Sequence, residues 1–401
     1  MINLIMSVFG VLLVVFGVLP TGISFNGSTY IVVLSGYLLL MFSFLLRIKV
    51  NTFIYLFIIL YTTLFPLVLN QYTVFNRYVS LNIGLIIVVS SYILQRSKMF
   101  FSSFVIVMSI TSIFTFKALL SNPYACRLLK SSGDYSMYIR RHGVGGYEFI
   151  YSLIFILIVL FYILINNDAF RIKKRYKTLF SFCFLFGMAI VLMSQYLTAL
   201  IIIYLSCVLL TVLKGKICIN NIHKRIILFI IIIIITTGLM FSLLAASANF
   251  LIKDKNMKGV QRLESISSYF YGKSDALGNV DGRSLVLLKS VQSIKENFFF
   301  GTIFKSSSSL ESIGQHSTML DTFTFFGFFI GIVYSCCYII PLVKDIIANK
   351  KTIFFSLYLV LFLAFSLLFV FNNLTISLPI VVFCIIPYIV NKLKNRGISH
   401  V

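Results

Sequence analysis

Uncharged apolar runs about as long as a membrane is thick recur along this chain, IILFIIIIIITTGLMFSLL at 226–244 being the purest. About 20 such residues, wound as a helix, cross a hydrocarbon layer roughly 30 Å thick. Inside that layer every backbone N–H and C=O must find a partner within the protein, which leaves helices and closed barrels as the spanning structures. A barrel would show segments of about 10 residues alternating apolar and polar. The runs here do not alternate, and with 59% hydrophobic and 11% charged residues there is too little polar surface for a water-soluble body. The expected fold class is therefore an all-α polytopic membrane protein, with residues 1–401 forming a single membrane domain.

The runs predict about twelve transmembrane helices, near 3–19, 29–46, 52–70, 79–95, 99–116, 147–165, 178–194, 196–213, 226–250, 317–340, 353–371 and 374–391. A break at Ser194-Gln195 divides one long run in two, and without it the count falls to eleven. Orientation favours the break, because short cytoplasmic loops collect Lys and Arg. With both termini cytoplasmic, the short inner loops hold Arg47 and Lys49, Arg96 and Lys98, the run RIKKRYK at 171–177, the cluster from Lys214 to Arg225, and Lys344, Lys350 and Lys351. The short outer loops hold only Arg77. Much of the +23 net charge is thus a topology signal, and its dispersal between spans argues against a nucleic-acid surface. MINLIMSVFGVLLVVFGVLP lacks a basic leader and a small-residue cleavage site, so it is expected to be a retained first span. The cysteines, seven in all, fall mostly inside spans and show no metal-ligand spacing.

Two larger polar segments remain on the outer side, 117–146 and 251–316, and function is expected there. Both carry cations where the topology rule would place few, although long loops escape that rule. An outer lysine can simply meet lipid headgroups or water. Arginines invite a more specific reading, since a guanidinium holds phosphate oxygens through a planar fork; the candidates are Arg140, Arg141, Arg262 and Arg283. In RRHGVGGYEFIY (140–151), paired arginines and His142 precede Gly143, Gly145 and Gly146 and the opening of a span. Such glycines could let backbone wrap a phosphate or sugar at a helix N-terminus, or could form an ordinary loop-to-helix turn. Glu148, about one turn inside the span, would face a polar cavity or a basic partner.

In the second segment, Leu285, Val286, Leu288, Val291 and Ile294 alternate with polar residues at helical spacing over 283–296. This predicts an amphipathic interfacial helix that begins at Arg283. After it come ENFFFG, with Asn297 and Gly301, and then GQHSTMLDTFTFFG, where His316 opens a span. Asp321 lies five residues on, some 140° around a helix from His316, placed to pair with a loop arginine or to complement the helix dipole.

The combination of an arginine opening an amphipathic helix, Asn297 with Gly301, and His316-Ser317 with Leu320 and Gly327 resembles the signature of the O-antigen ligase and polymerase superfamily. Phe298 stands where that family usually has proline, and Thr302 where a second glycine is common. RRHGVGGYEF is similar to the first-loop segment of the polysaccharide polymerases. The resemblance implies a metal-independent, inverting glycosyltransferase without cofactors, in the bacterial cytoplasmic membrane with its site facing outward. It would join undecaprenyl-pyrophosphate-linked oligosaccharide units into an O antigen or capsule, amid membrane lipid and alongside a flippase and a chain-length regulator. His316, Arg283 and Arg141 would be catalytic, the histidine as base near neutral pH. Arg140, His142, Gly145, Gly146, Glu148, Arg262, Asn297, Gly301 and Asp321 would contact substrate. A ligase that moves the finished polymer to another acceptor would use the same residues. A flippase for such lipids would predict charges buried along several spans, and a peptidoglycan-type polymerase would rest on Asp275 or Asp281.

Overall fold

A computed structural model describes residues 50–122, 125–128, 143–194, 196–213, 279–305, 317–374 and 377–395, with isolated positions at 6, 9, 10, 35, 36 and 39. The expected spans 3–19, 29–46 and 226–250 lie outside the described residues, apart from those isolated positions. Among the described residues all regular structure is helical: α1 (Val50–Val68), α2 (Tyr72–Leu94), α3 (Lys98–Ser121), the short α4 (Ala125–Leu128), α5 (Tyr147–Ile165), α6 (Lys174–Ser194), α7 (Leu197–Val212), α8 (Asn279–Glu296), α9 (Thr318–Ala348), α10 (Phe355–Phe371) and α11 (Ser377–Leu393), which carries one π-helical stretch at Val381–Ile385. The helices α2, α3, α5, α6 and α9 are long and apolar enough to cross a membrane, and α1, α7, α10 and α11 are shorter apolar helices.

Several boundaries differ from the apolar runs. Helix α2 begins at Tyr72 instead of 79, so Arg77, expected in an outer loop, lies in its second turn. The cause is the end of α1. Asn70 adopts the left-handed conformation (φ 57°), its N–H donates to the Leu67 carbonyl at 3.1 Å and the Gln71 N–H to the Pro66 carbonyl at 2.8 Å. That is the Schellman arrangement, and it closes one helix just before the next begins. Helix α9 continues to Ala348, past Pro341, well beyond the expected end at 340. Between α6 and α7 the chain does leave the helix, ending at Ser194 and resuming at Leu197.

The chain divides into two compact units, one of Met1–Ser194, Ile332–Phe365 and Leu374–Val401, the other of Gln195–Gly331 and Ser366–Asn373. In the first, α1 packs on α2, α6 packs on α3 and α5, and α11 packs on α2 and α5. Buried polar groups tie these apolar helices together, as expected where lipid supplies little drive for association. Asn82 donates from Nδ2 to Thr62 Oγ1 at 2.8 Å, Tyr338 donates its hydroxyl to the Leu81 carbonyl at 3.0 Å, and Tyr55 does the same to Cys337 at 2.8 Å. Gly84 makes room for Tyr338, whose hydroxyl oxygen would lie 2.6 Å from a β-carbon at that position. The second unit combines α7, α8, the first turns of α9 and the end of α10.

Candidate functional site

Helix α8 begins at Asn279, one turn earlier than expected, so Arg283 sits in its second turn and does not open it. Asp281, expected in an outer loop, falls in the first turn of α8. The face that α8 turns inward is not its most apolar one. Ser290 and Ser293 are buried while Leu285 and Leu288 are exposed. Small side chains on the inner face allow close backbone approach, and the Thr324 hydroxyl of α9 comes within 3.4 Å of the Ser290 carbonyl. Asn297 closes α8: its backbone N–H and its Nδ2 both donate to the Ser293 carbonyl at 3.0 Å.

Beyond Asn297 the chain crosses α9 where that helix is interrupted. Gly327 (φ 78°, ψ −178°) has a conformation essentially reserved for glycine. The interruption frees the partners of an ordinary helical turn, and the ENFFFGTI segment takes them. Phe328 donates its N–H to the Phe298 carbonyl at 2.8 Å, Thr302 donates its own to Thr324 at 2.8 Å, and Ile303 donates to Phe325 at 3.1 Å. The Thr302 hydroxyl adds a bond to the Thr324 carbonyl at 3.2 Å. Gly301 (φ 67°) lies against the interruption, and a β-carbon there would collide with the Phe325 carbonyl oxygen. A β-carbon on Gly327 would collide with the Phe299 carbonyl. The ring of Phe298 stacks on Phe328 with centroids 4.6 Å apart.

The N-terminal end of α9 is polar and buried. Ser317 is its cap, with Oγ accepting the Leu320 N–H at 3.0 Å. Thr318 donates its N–H to the Asn372 carbonyl at 3.2 Å, which joins this end to the end of α10. Asp321, in the first turn, is 0% exposed, and Thr318, Thr322 and Thr324 are equally enclosed. A carboxylate buried there gains from the helix N-terminal field.

In the first unit, Gly146 precedes α5, which starts at Tyr147 as the apolar run predicts. Gly143 has φ 72°. The Gly145 N–H donates to Thr115 Oγ1 of α3 at 2.7 Å in a buried setting, and a β-carbon on Gly145 would collide with the Phe149 ring. Packing therefore accounts for glycine at 145. Glu148 is half-buried in the first turn. Its backbone carbonyl accepts from Ser377 Oγ at 3.1 Å, and Ser377 accepts from Ser152 Oγ at 2.8 Å, so α11 fixes the start of α5.

Arg140, Arg141, His142, Arg262 and His316 lie outside the described residues. Of the others, Gly145, Gly146 and Glu148 gather at the head of α5, while Arg283, Asn297, Gly301 and Asp321 fall on the α8–α9 assembly of the second unit. Sequence reasoning gives no role to Thr115, Ser290 or Thr324, and notes Thr302 only as a departure from the family pattern, because a threonine or serine carries no local mark of its distant partner. Gly327 was visible as a motif glycine, though its interruption of α9 was not. No family model, curated protein or solved structure matches the chain.

Proposed function

We propose that this chain polymerises lipid-linked oligosaccharide units on the outer face of a cytoplasmic membrane. The observation that carries the reading is the interlock of ENFFFG with Gly327: two of the segments that bear the resemblance meet backbone to backbone within the second unit. A second feature fits a lipid-linked donor. A cavity of about 340 Å³ is walled by Thr198, Ile201, Ile202 and Leu205 of α7, Leu287 of α8, and Leu367 and Phe371 of α10. Arg283 is one helical turn before Leu287 on α8. A slot lined mainly by apolar side chains suits a prenyl chain.

In this reading the acceptor sugar hydroxyl attacks C1 of the donor sugar from the face opposite the leaving group. The C1–O bond to the pyrophosphate breaks, its electron pair leaves with the phosphate oxygen, and the hydroxyl proton passes to the neutral imidazole of His316. Arg283, with Arg140, Arg141 and Arg262, meets the charge that develops on the pyrophosphate, a role suited to fixed cations in a water-poor site. Asn297 and Gly301 shape the turn after α8, and Asp321 lies buried in the first turn of α9. The similarity of RRHGVGGYEF to the polymerase version favours polymerase over ligase. A deletion strain separates the two: surface glycan capped with a single repeat supports polymerase, and full-length chains stranded on the lipid carrier contradict it.

A further inference from the structure

The turn that crosses α9 presents a cluster of aromatic side chains that are largely exposed. Phe300 is 72% exposed and Phe304 63%, and Phe298, Phe299 and, on α9 itself, Phe329 are also exposed. The rings contact one another, Phe299 with Phe329 at 6.2 Å and Phe300 edge-on to Phe304 at 6.4 Å. Left in water, this much aromatic surface would be unfavourable.

We propose that Phe298, Phe299, Phe300 and Phe304 form a wedge seated in the acyl chains of the lipid leaflet at the N-terminal end of α9. The depth follows from the sequence. The stretch between Asp321 and Lys344 carries no charge and is roughly 20 residues long, the length that fills a hydrocarbon layer. The turn is bonded to α9 at Thr324, Phe325 and Phe328, just inside the N-terminal end of that stretch. Non-helical backbone is tolerated at such depth only where protein satisfies it, and the interruption at Gly327 supplies those partners. The patch is continuous with the exposed apolar flank of α9 at Phe329. Lys295, exposed just before the turn, can reach headgroups while its stem lies along apolar surface.

The chain has no tryptophan, so Phe300→Trp and, separately, Phe304→Trp each create a single fluorophore. Leu185→Trp, on the exposed apolar face of α6, is the control. In proteoliposomes whose lipids are brominated at defined acyl positions, the wedge variants are expected to show blue-shifted emission. Bromines near the carbonyl end should quench them more than deep ones, and iodide should have little effect. The Leu185 variant should prefer the deep bromines. Long-wavelength emission quenched by iodide would put the turn in water and overturn the proposal. Blue-shifted emission insensitive to every brominated lipid would overturn it equally, with protein, such as a second copy of the chain, as the cover.

Discussion

Gly301 and Gly327 meet backbone to backbone: each has a positive φ, and a β-carbon on either would lie within 2.8 Å of the other's amide nitrogen. The turn after α8 and the interruption of α9 are therefore two halves of one feature. Neither conformation has a local reason to exist without the other, since the hydrogen bonds that Gly327 withdraws from α9 are remade by Phe298, Thr302 and Ile303.

Gly327→Ala is expected to destabilise the protein by at least about 2 kcal/mol, because it adds backbone strain to a collision with the main chain of Phe299. Gly187→Ala is the comparison. There the obstacle is the flexible tip of Leu157 and φ is not positive, so the loss should be smaller. Thermal unfolding in detergent measures both, and equal losses would contradict the interlock.

Thr324→Val and Thr302→Val keep nearly the same volume and remove only hydroxyls. The main-chain bond from Thr302 to Thr324 survives in both, so each should cost no more than about 1 kcal/mol. A collapse of either variant in the same unfolding assay would mean that the side chains, not the backbone, hold the turn.

Thr115→Val should cost more, about 1–3 kcal/mol, because it leaves the buried Gly145 N–H without its acceptor. Thr115→Ser restores the hydroxyl and should recover most of the loss. A valine variant no less stable than the serine variant would contradict the hydrogen bond as the cause, since valine keeps the threonine methyl and serine does not.

How much of this could be read from the chain depends on the range of the interaction responsible. The apolar runs located α5 to the residue and anticipated the gap between Ser194 and Leu197, because hydrophobic length and the polar Ser-Gln pair are local signals. The start of α2 was missed, since TVFNRYVS looks too polar to span until the left-handed Asn70 turn forces a helix to begin behind it. The α8 helix was recognised but its inner face was not. Leucines marked the apolar side, whereas Ser290 and Ser293 make the close contact. FTFFGFFIG reads as one unbroken apolar helix, and only the approach of ENFFFG from another part of the chain shows that Gly327 interrupts it. For the candidate site, sequence supplied Asn297, Gly301 and Gly327 as parts of one motif and Asp321 as a separate candidate, and the second unit holds all four. It could not show that Asn297 and Gly301 serve the local fold, because a motif does not reveal that Asn297 bonds back to Ser293 or that Gly301 packs on the backbone at Phe325–Gly327.

The central claim concerns chemistry at His316 and Arg283, and purified protein tests it most directly. The protein is given a synthetic undecaprenyl-pyrophosphate repeat unit in the presence of EDTA, and product length is read on a gel. Polymer should form in spite of the chelator and should be lost in His316→Ala and in Arg283→Ala, both still folded by thermal unfolding. Polymer formed undiminished by His316→Ala, or abolished by EDTA in the unaltered protein, would contradict the account.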